Sequence, residues 1–128
     1  MQYVSATFNK KENNINERFI IPDSFKIVST NKNAQMYLHK NNCWEAWAWG
    51  RADIKYDVKQ DRVVFLIKNR NTDEIVGAVG RGLNKNVYPK WFMYDNKDVP
   101  FKCGDCDDAV IVEDCPSACA VSNVLTGI

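Results

Sequence analysis

Past Lys102 the chain carries no lysine or arginine, and over its whole length it has a single histidine, His39. No run of apolar residues approaches the ~18 that a bilayer-crossing helix needs, so no membrane partner is expected. Residues 1–30 lack a basic start followed by an apolar block, so no secretory leader is expected either. Repeats and low-complexity tracts are missing too. The cysteines number five, and an odd count suits a reducing cytoplasm better than a disulfide scaffold, predicting free thiols or a metal. What is present is globular: 45% hydrophobic, 26% charged and 12% aromatic residues in 128, the length of one domain with a real core.

The net charge is only +1, but it is unevenly placed. Lysine plus arginine stand against aspartate plus glutamate as 6 to 4 in residues 1–50, 11 to 7 in 51–102 and 0 to 5 in 103–128. A basic middle followed by an acidic end is the polarity that a polyanion beside a divalent cation needs. Uneven surface charge without a partner is the competing account.

Periodicity predicts an α+β fold. Residues 1–30 read as a loosely held arm with one short strand at Tyr3–Phe8. Ala34, Tyr37 and Leu38, at i, i+3 and i+4, mark one face of a short helix entered near Thr30–Asn33 and closed by Asn41–Asn42. Between Ile54 and Gly82 the period changes. "DIKYDV", "DRVVFLIKN" and "EIVGAVGRG", separated by turn residues, predict a three-stranded antiparallel meander. "NKNVYPKWFMYDNKDVP" reads as a polar, Pro-punctuated connection holding an aromatic cluster.

"DDAVIVED" then predicts a strand buried on both faces, and Ser117–Leu125, with Pro116 in its first turn, predicts a helix after it. A strand leading into a helix in this way is half of a parallel βαβ unit, which binds ligands at the carboxyl ends of its strands. Glu113 stands at that end. Two adjacent carboxylates leaving a strand cannot point the same way, so Glu113 is the site candidate and Asp114 the cap of the helix. The strand has no later partner strand before Ile128, so the chain is expected to be one piece of a longer protein.

Three features stand in fixed order: "DRVVFLIKNRNTDEIVGAVGRGL" (61–83), "YPKW" (88–91) and "AVIVEDCPSA" (109–118). With the upstream Ala34-x-x-Tyr37-Leu38 element, this order resembles the catalytic core of bacterial-type and phage DNA primases. The resemblance covers about residues 30 to 128. It implies a primase-like α+β subdomain over 31–102 and the opening strand and helix of a Toprim domain over 103–128. It makes Glu113 the Toprim glutamate, with an acid/base part near metal-bound phosphates. It makes Arg62, Arg81 and Lys90 the basic residues that hold template or nucleotide phosphates. The implied activity of the complete protein is Mg²⁺-dependent nucleotidyl transfer, making short RNA primers on single-stranded DNA for DNA replication in a bacteriophage. The implied partners are single-stranded DNA, nucleotides and a replicative helicase domain, in the host cytoplasm. Such chemistry is mostly positioning and charge neutralisation, which suits basic side chains facing a carboxylate–Mg²⁺ centre.

Two departures mark the resemblance. The bacterial motif reads Glu-Gly-x-x-Asp, whereas this chain has Glu113-Asp114-Cys115-Pro116-Ser117. The Asp-x-Asp that supplies the family's principal metal ligands follows a later Toprim strand, and none occurs between Glu113 and Ile128. The residues also admit a non-catalytic nucleic-acid-binding module that keeps the basic groove without the metal centre, and, without any binding role, Arg62 and Arg81 turned outward on strands with Lys90 a solvated loop lysine. A small zinc protein is a further alternative, since Cys103, Cys106, Cys115 and Cys119 put four thiols within seventeen residues. Trp44, Trp47 and Trp49 are expected in the core ahead of base stacking. His39 is expected in solvent, without a role.

Overall fold

The computed structural model describes residues 19–69, 72–95, 101, 103 and 115–125. They form a five-stranded antiparallel sheet in simple meander order with a few short helices, an α+β arrangement. The strands are β1 (Phe25–Ile27), β2 (Ile54–Asp57), β3 (Arg62–Lys68), β4 (Ile75–Gly82) and β5 (Trp91–Asp95). The helices are α1 (Lys32–Lys40), α2 (Trp44–Ala48) and α3 (Cys115–Leu125), with a single 3₁₀ turn at Val28–Thr30.

The expected meander is present as β2–β3–β4. Two strands flank it where none was expected. β1 is three residues long, too short for a period to show. β5 lies in the Pro-punctuated connection, because the aromatics there pair with β4 through Arg81↔Trp91, Gly80↔Phe92 and Val79↔Met93. The expected strands at Tyr3–Phe8 and in "DDAVIVED" fall outside the described residues.

β3 is central, and Arg62 through Ile67 are all buried. Side chains alternate across a strand, so β3 fills two cores at once. Val63 and Phe65 face the helices with Ile54, Tyr56, Val28, Ala34, Leu38, Cys43, Ala46, Cys115 and Cys119. Val64 and Leu66 face the other way, against Phe25 and Ala78, with Phe19, Ile75 and Tyr94 at the margin. Each fully buried aliphatic or Phe side chain contributes roughly 1.5–3 kcal/mol.

α1 begins where expected. The Asn31 side chain accepts from the Ala34 N–H at 2.9 Å, filling one of the open donors of the first turn. His39 and Lys40 suit the negative end of the dipole, and Asn42 at φ 62° turns the chain out. α2 stops at Gly50, whose φ of 78° is the left-handed region where glycine is unstrained. Trp44 and Trp47 pack on the helix-side core as expected, whereas Trp49 is 70% exposed. His39 is exposed, its ring stacked on Trp44 at 4.3 Å.

β4 and β5 close over the far face at Gly80. A Cβ there would stand 2.9 Å from Tyr94 Cε2 and 3.1 Å from Arg62 Cδ. The Tyr94 ring cannot retreat freely, because its hydroxyl is bound to buried Asp57. Gly80→Ala should therefore destabilise the fold by about 1–3 kcal/mol, the usual cost of overpacking. Urea unfolding of the two proteins measures it, and an unchanged midpoint would show that the contact relaxes without cost.

Candidate nucleic-acid interface

β4 carries Arg81 onto the helix side of the sheet. Its cross-strand partner is Trp91, and its guanidinium carbon lies 5.6 Å from the Trp91 ring centroid. Tyr37, one turn before the end of α1, brings a second ring to 5.9 Å. Two aromatic faces thus hold one cation, an attraction worth about 0.5–2 kcal/mol per ring as water is excluded. Arg81 Nε is buried and has no hydrogen-bond partner among the described residues. The side chain as a whole is half-buried, so the guanidinium is held by rings and keeps its donor edge uncommitted. Such a group can fork across a phosphate or carboxylate.

Arg62 lies on the opposite face. It is cross-strand to Gly82, whereas Arg81 is cross-strand to Val63, so the two arginines differ by one residue in register and point apart. Arg62 is 2% exposed. Its Nε donates to Gln60 Oε1 at 3.0 Å, and Nη1 donates to the carbonyls of Gly80 at 3.2 Å and Lys90 at 3.4 Å. Its guanidinium carbon also lies 5.3 Å from the Phe92 centroid. Within this chain Arg62 ties β3, β4 and the entry to β5 together.

Lys90 is exposed, directly before β5. Its backbone is fixed, its carbonyl accepting from Arg62 and from the Gly82 N–H at 2.9 Å. Its side chain is left to solvent. The loop from Leu83 to Lys90, which includes the cis Tyr88–Pro89 peptide bond, is anchored through Asp61. The Leu83 N–H donates to the Asp61 carbonyl at 3.1 Å, and Asn84 Nδ2 donates to Asp61 Oδ2 at 2.7 Å. The structure therefore places Arg81 and the Lys90 backbone at the same end of β4 and β5, with Arg81 on the helix face and Arg62 on the opposite one. Glu113 and Asp114 fall outside the described residues.

Tyr37, Trp91 and Asp61 shape this end of the sheet, and sequence reasoning gave none of them that role. The first two were in view as motif residues. Their shared purpose shows only once Trp91 is placed on a strand beside Arg81. No three Cys, His, Asp or Glu side chains among the described residues converge as metal ligands, and Cys106 lies outside them. No helix among the described residues is long and apolar enough to cross a membrane. Comparisons with protein-family models, with curated proteins and with solved structures found no match.

Two phenols, one on each face, hold the carboxylates around the β2–β3 turn. Tyr56 donates to Asp61 Oδ1 at 2.7 Å, and Tyr94 donates to Asp57 Oδ2 at 2.5 Å. Burial, then the bond to Asp61, push the Tyr56 phenol up to about 12. Burial, then the bond to Asp57, push Tyr94 up further. A raised phenol favours the neutral form in the fold. The stability from Tyr56 is thus complete below pH 10, its ordinary value, and is lost as pH rises through about 12. An absorbance titration of tyrosinate should show a late phase near pH 12, missing in Tyr56→Phe, which should also cost about 0.5–1.5 kcal/mol at neutral pH. Complete tyrosinate formation by pH 10.5 in still-folded protein would contradict this bracing.

Proposed function

We propose that this chain is the N-terminal part of a phage-type DNA primase catalytic core, whose complete form makes RNA primers on single-stranded DNA with Mg²⁺. The observation that carries the reading is the meeting at Arg81. Three separated pieces of the primase-like pattern supply its surroundings: Tyr37 from the Ala-x-x-Tyr-Leu helix, Arg81 from the Gly-Arg-Gly-Leu strand end, and Trp91 from the Tyr-Pro-Lys-Trp element. Lys90, the residue before Trp91 and exposed, adds a point charge on a flexible stem. On this reading Arg81 and Lys90 hold phosphates of template or nucleotide. Arg62 serves the same site from beneath by fixing the Lys90 backbone. Glu113 acts near the metal-bound phosphates, with further ligands supplied by other parts of the complete protein. A replicative helicase domain is the partner of the complete protein, in the cytoplasm of the host.

A second reading, a non-catalytic nucleic-acid-binding module, is favoured by one fact. The Arg81 cradle is assembled entirely from residues 37–91 and uses no acidic group. Both readings require binding to single strands.

A labelled oligonucleotide titrated at 50 and 200 mM salt should bind weakly at the lower concentration and much more weakly at the higher, as counterions are displaced. Arg81→Ala and Lys90→Ala should each weaken binding about tenfold and flatten the salt slope by about one. Lys10→Ala should change neither. Binding unaffected by salt, or equal loss in all three variants, would remove both readings. In a protein extended through the remaining Toprim strands, Glu113→Gln should abolish primer synthesis and leave the melting temperature nearly unchanged. Full synthesis by that variant would leave only the module.

A further inference from the structure

From Ile75 to Tyr94 the chain has no aspartate or glutamate but carries three cations, Arg81, Lys85 and Lys90. Between the two lysines stands Tyr88. Its side chain is 91% exposed, the most exposed large hydrophobic group among the described residues. A tyrosine ordinarily lays its ring against apolar surface and gives only the hydroxyl to water. This ring stands clear of both cores.

Its exposure does not come from a slack loop. Asn84 and Val87 close a turn, the Val87 N–H donating to the Asn84 carbonyl at 3.1 Å, while Asn84 Oδ1 accepts from the Asn86 N–H at 2.8 Å. The Val87 side chain sits directly over Gly82, where a Cβ would stand 2.8 Å from Val87 Cγ1. On the other side of Tyr88 the Lys90 carbonyl accepts from the Gly82 N–H at 2.9 Å and from Arg62 at 3.4 Å. The backbone is thus pinned before and after the ring. The carboxylate bound to this loop, that of Asp61, is engaged on both oxygens, by Tyr56 and by Asn84.

We propose that Tyr88 is a stacking platform for an unpaired nucleobase, with Lys85 and Lys90 on the flanking phosphates, a role that rests on the single-strand binding proposed above. A single strand offers base faces and phosphates together, and an aromatic ring between two cations answers both. In a duplex the base faces are already stacked on one another. The exposed neighbours of the ring, Asn84, Lys85, Asn86 and Lys90, are polar, whereas the centre of a protein interface is apolar and poor in charge. Because the loop is pinned, presenting the ring orders little more than its own two side-chain torsions. Tyr88 and Lys85 thereby extend the interface from the strand end at Arg81 into the loop.

The test compares two labelled strands of equal length at low salt, one of oligothymidylate and one abasic. The wild-type chain should bind the base-bearing strand more tightly. Tyr88→Ala should weaken that binding about tenfold, leave the abasic strand unaffected and keep the salt slope, whereas Tyr88→Phe should bind like the wild type. Lys85→Ala should weaken both strands and flatten the slope by about one. Equal loss on both strands in Tyr88→Ala would overturn the inference, since the loop and not the stack would have been lost. Unchanged affinity in that variant would also overturn it, leaving the ring to a protein partner, while the single-strand reading would stand. A wild-type chain that binds neither strand would remove both.

Discussion

A guanidinium is buried inside the far face of this sheet, and much of the fold is arranged so that it can be there. An enclosed charge is costly unless its donors are met. Arg62 is met by one side-chain oxygen and two backbone carbonyls, contributed by the β2–β3 turn, by β4 and by the residue that opens β5. Asp57, itself 1% exposed, stands directly opposite on β2. That carboxylate is satisfied in turn by the Lys59 and Gln60 N–H groups and by the Tyr94 hydroxyl. Gly80 has no side chain because the Arg62 stem and the Tyr94 ring already fill that space. One buried cation thus explains the register of β4 with β5, the small residue at their contact and the geometry at Lys90.

The period of a strand decides what remains for Arg81. Val63 is cross-strand to Arg81, and Arg62 to Gly82, so a residue that serves Arg62 from one face leaves its neighbour to the other. On the helix side Arg81 meets rings and no acceptor among the described residues. The two arginines, alike in sequence context, are opposites in chemistry. Arg62 is saturated by carbonyls, while Arg81 is oriented but unspent.

The parts legible in the sequence were those set by local pattern. The β2–β3–β4 runs alternate or fill with β-branched residues, α1 shows its face at Ala34 and Leu38, and Pro116 announces α3. What was not legible depends on pairing at a distance. β5 is hidden because its neighbours Tyr88, Pro89 and Lys90 read as loop, and because an aromatic cluster becomes a strand only against Val79–Arg81. The opposite facing of Arg62 and Arg81 follows from a register across a six-residue connection whose Asn69 and Asp73 set the turn. The cysteines repeat the lesson. Spacing grouped Cys103, Cys106, Cys115 and Cys119, whereas packing gathers Cys43, from the α1–α2 corner, with Cys115 and Cys119 in one core and leaves Cys103 at its margin.

The energetic oddity that remains is Arg81 Nε. A buried donor without an acceptor costs about 1–3 kcal/mol, and folded proteins keep few of them. Two cation–π contacts offset part of that cost and also make the orientation rigid, since the Tyr37 ring rides on α1 and the Trp91 ring on β5. Burial of Leu38 and Ala34 fixes the first ring, and the cross-strand pairing of β4 with β5 fixes the second. The orientation of Arg81 is therefore set by the fold itself. A lysine could make a cation–π contact there but would bring a point charge in place of a planar fork of donors. The position asks for arginine on the grounds of shape as much as charge, and that requirement is what separates Arg81 from an ordinary surface cation such as Lys90.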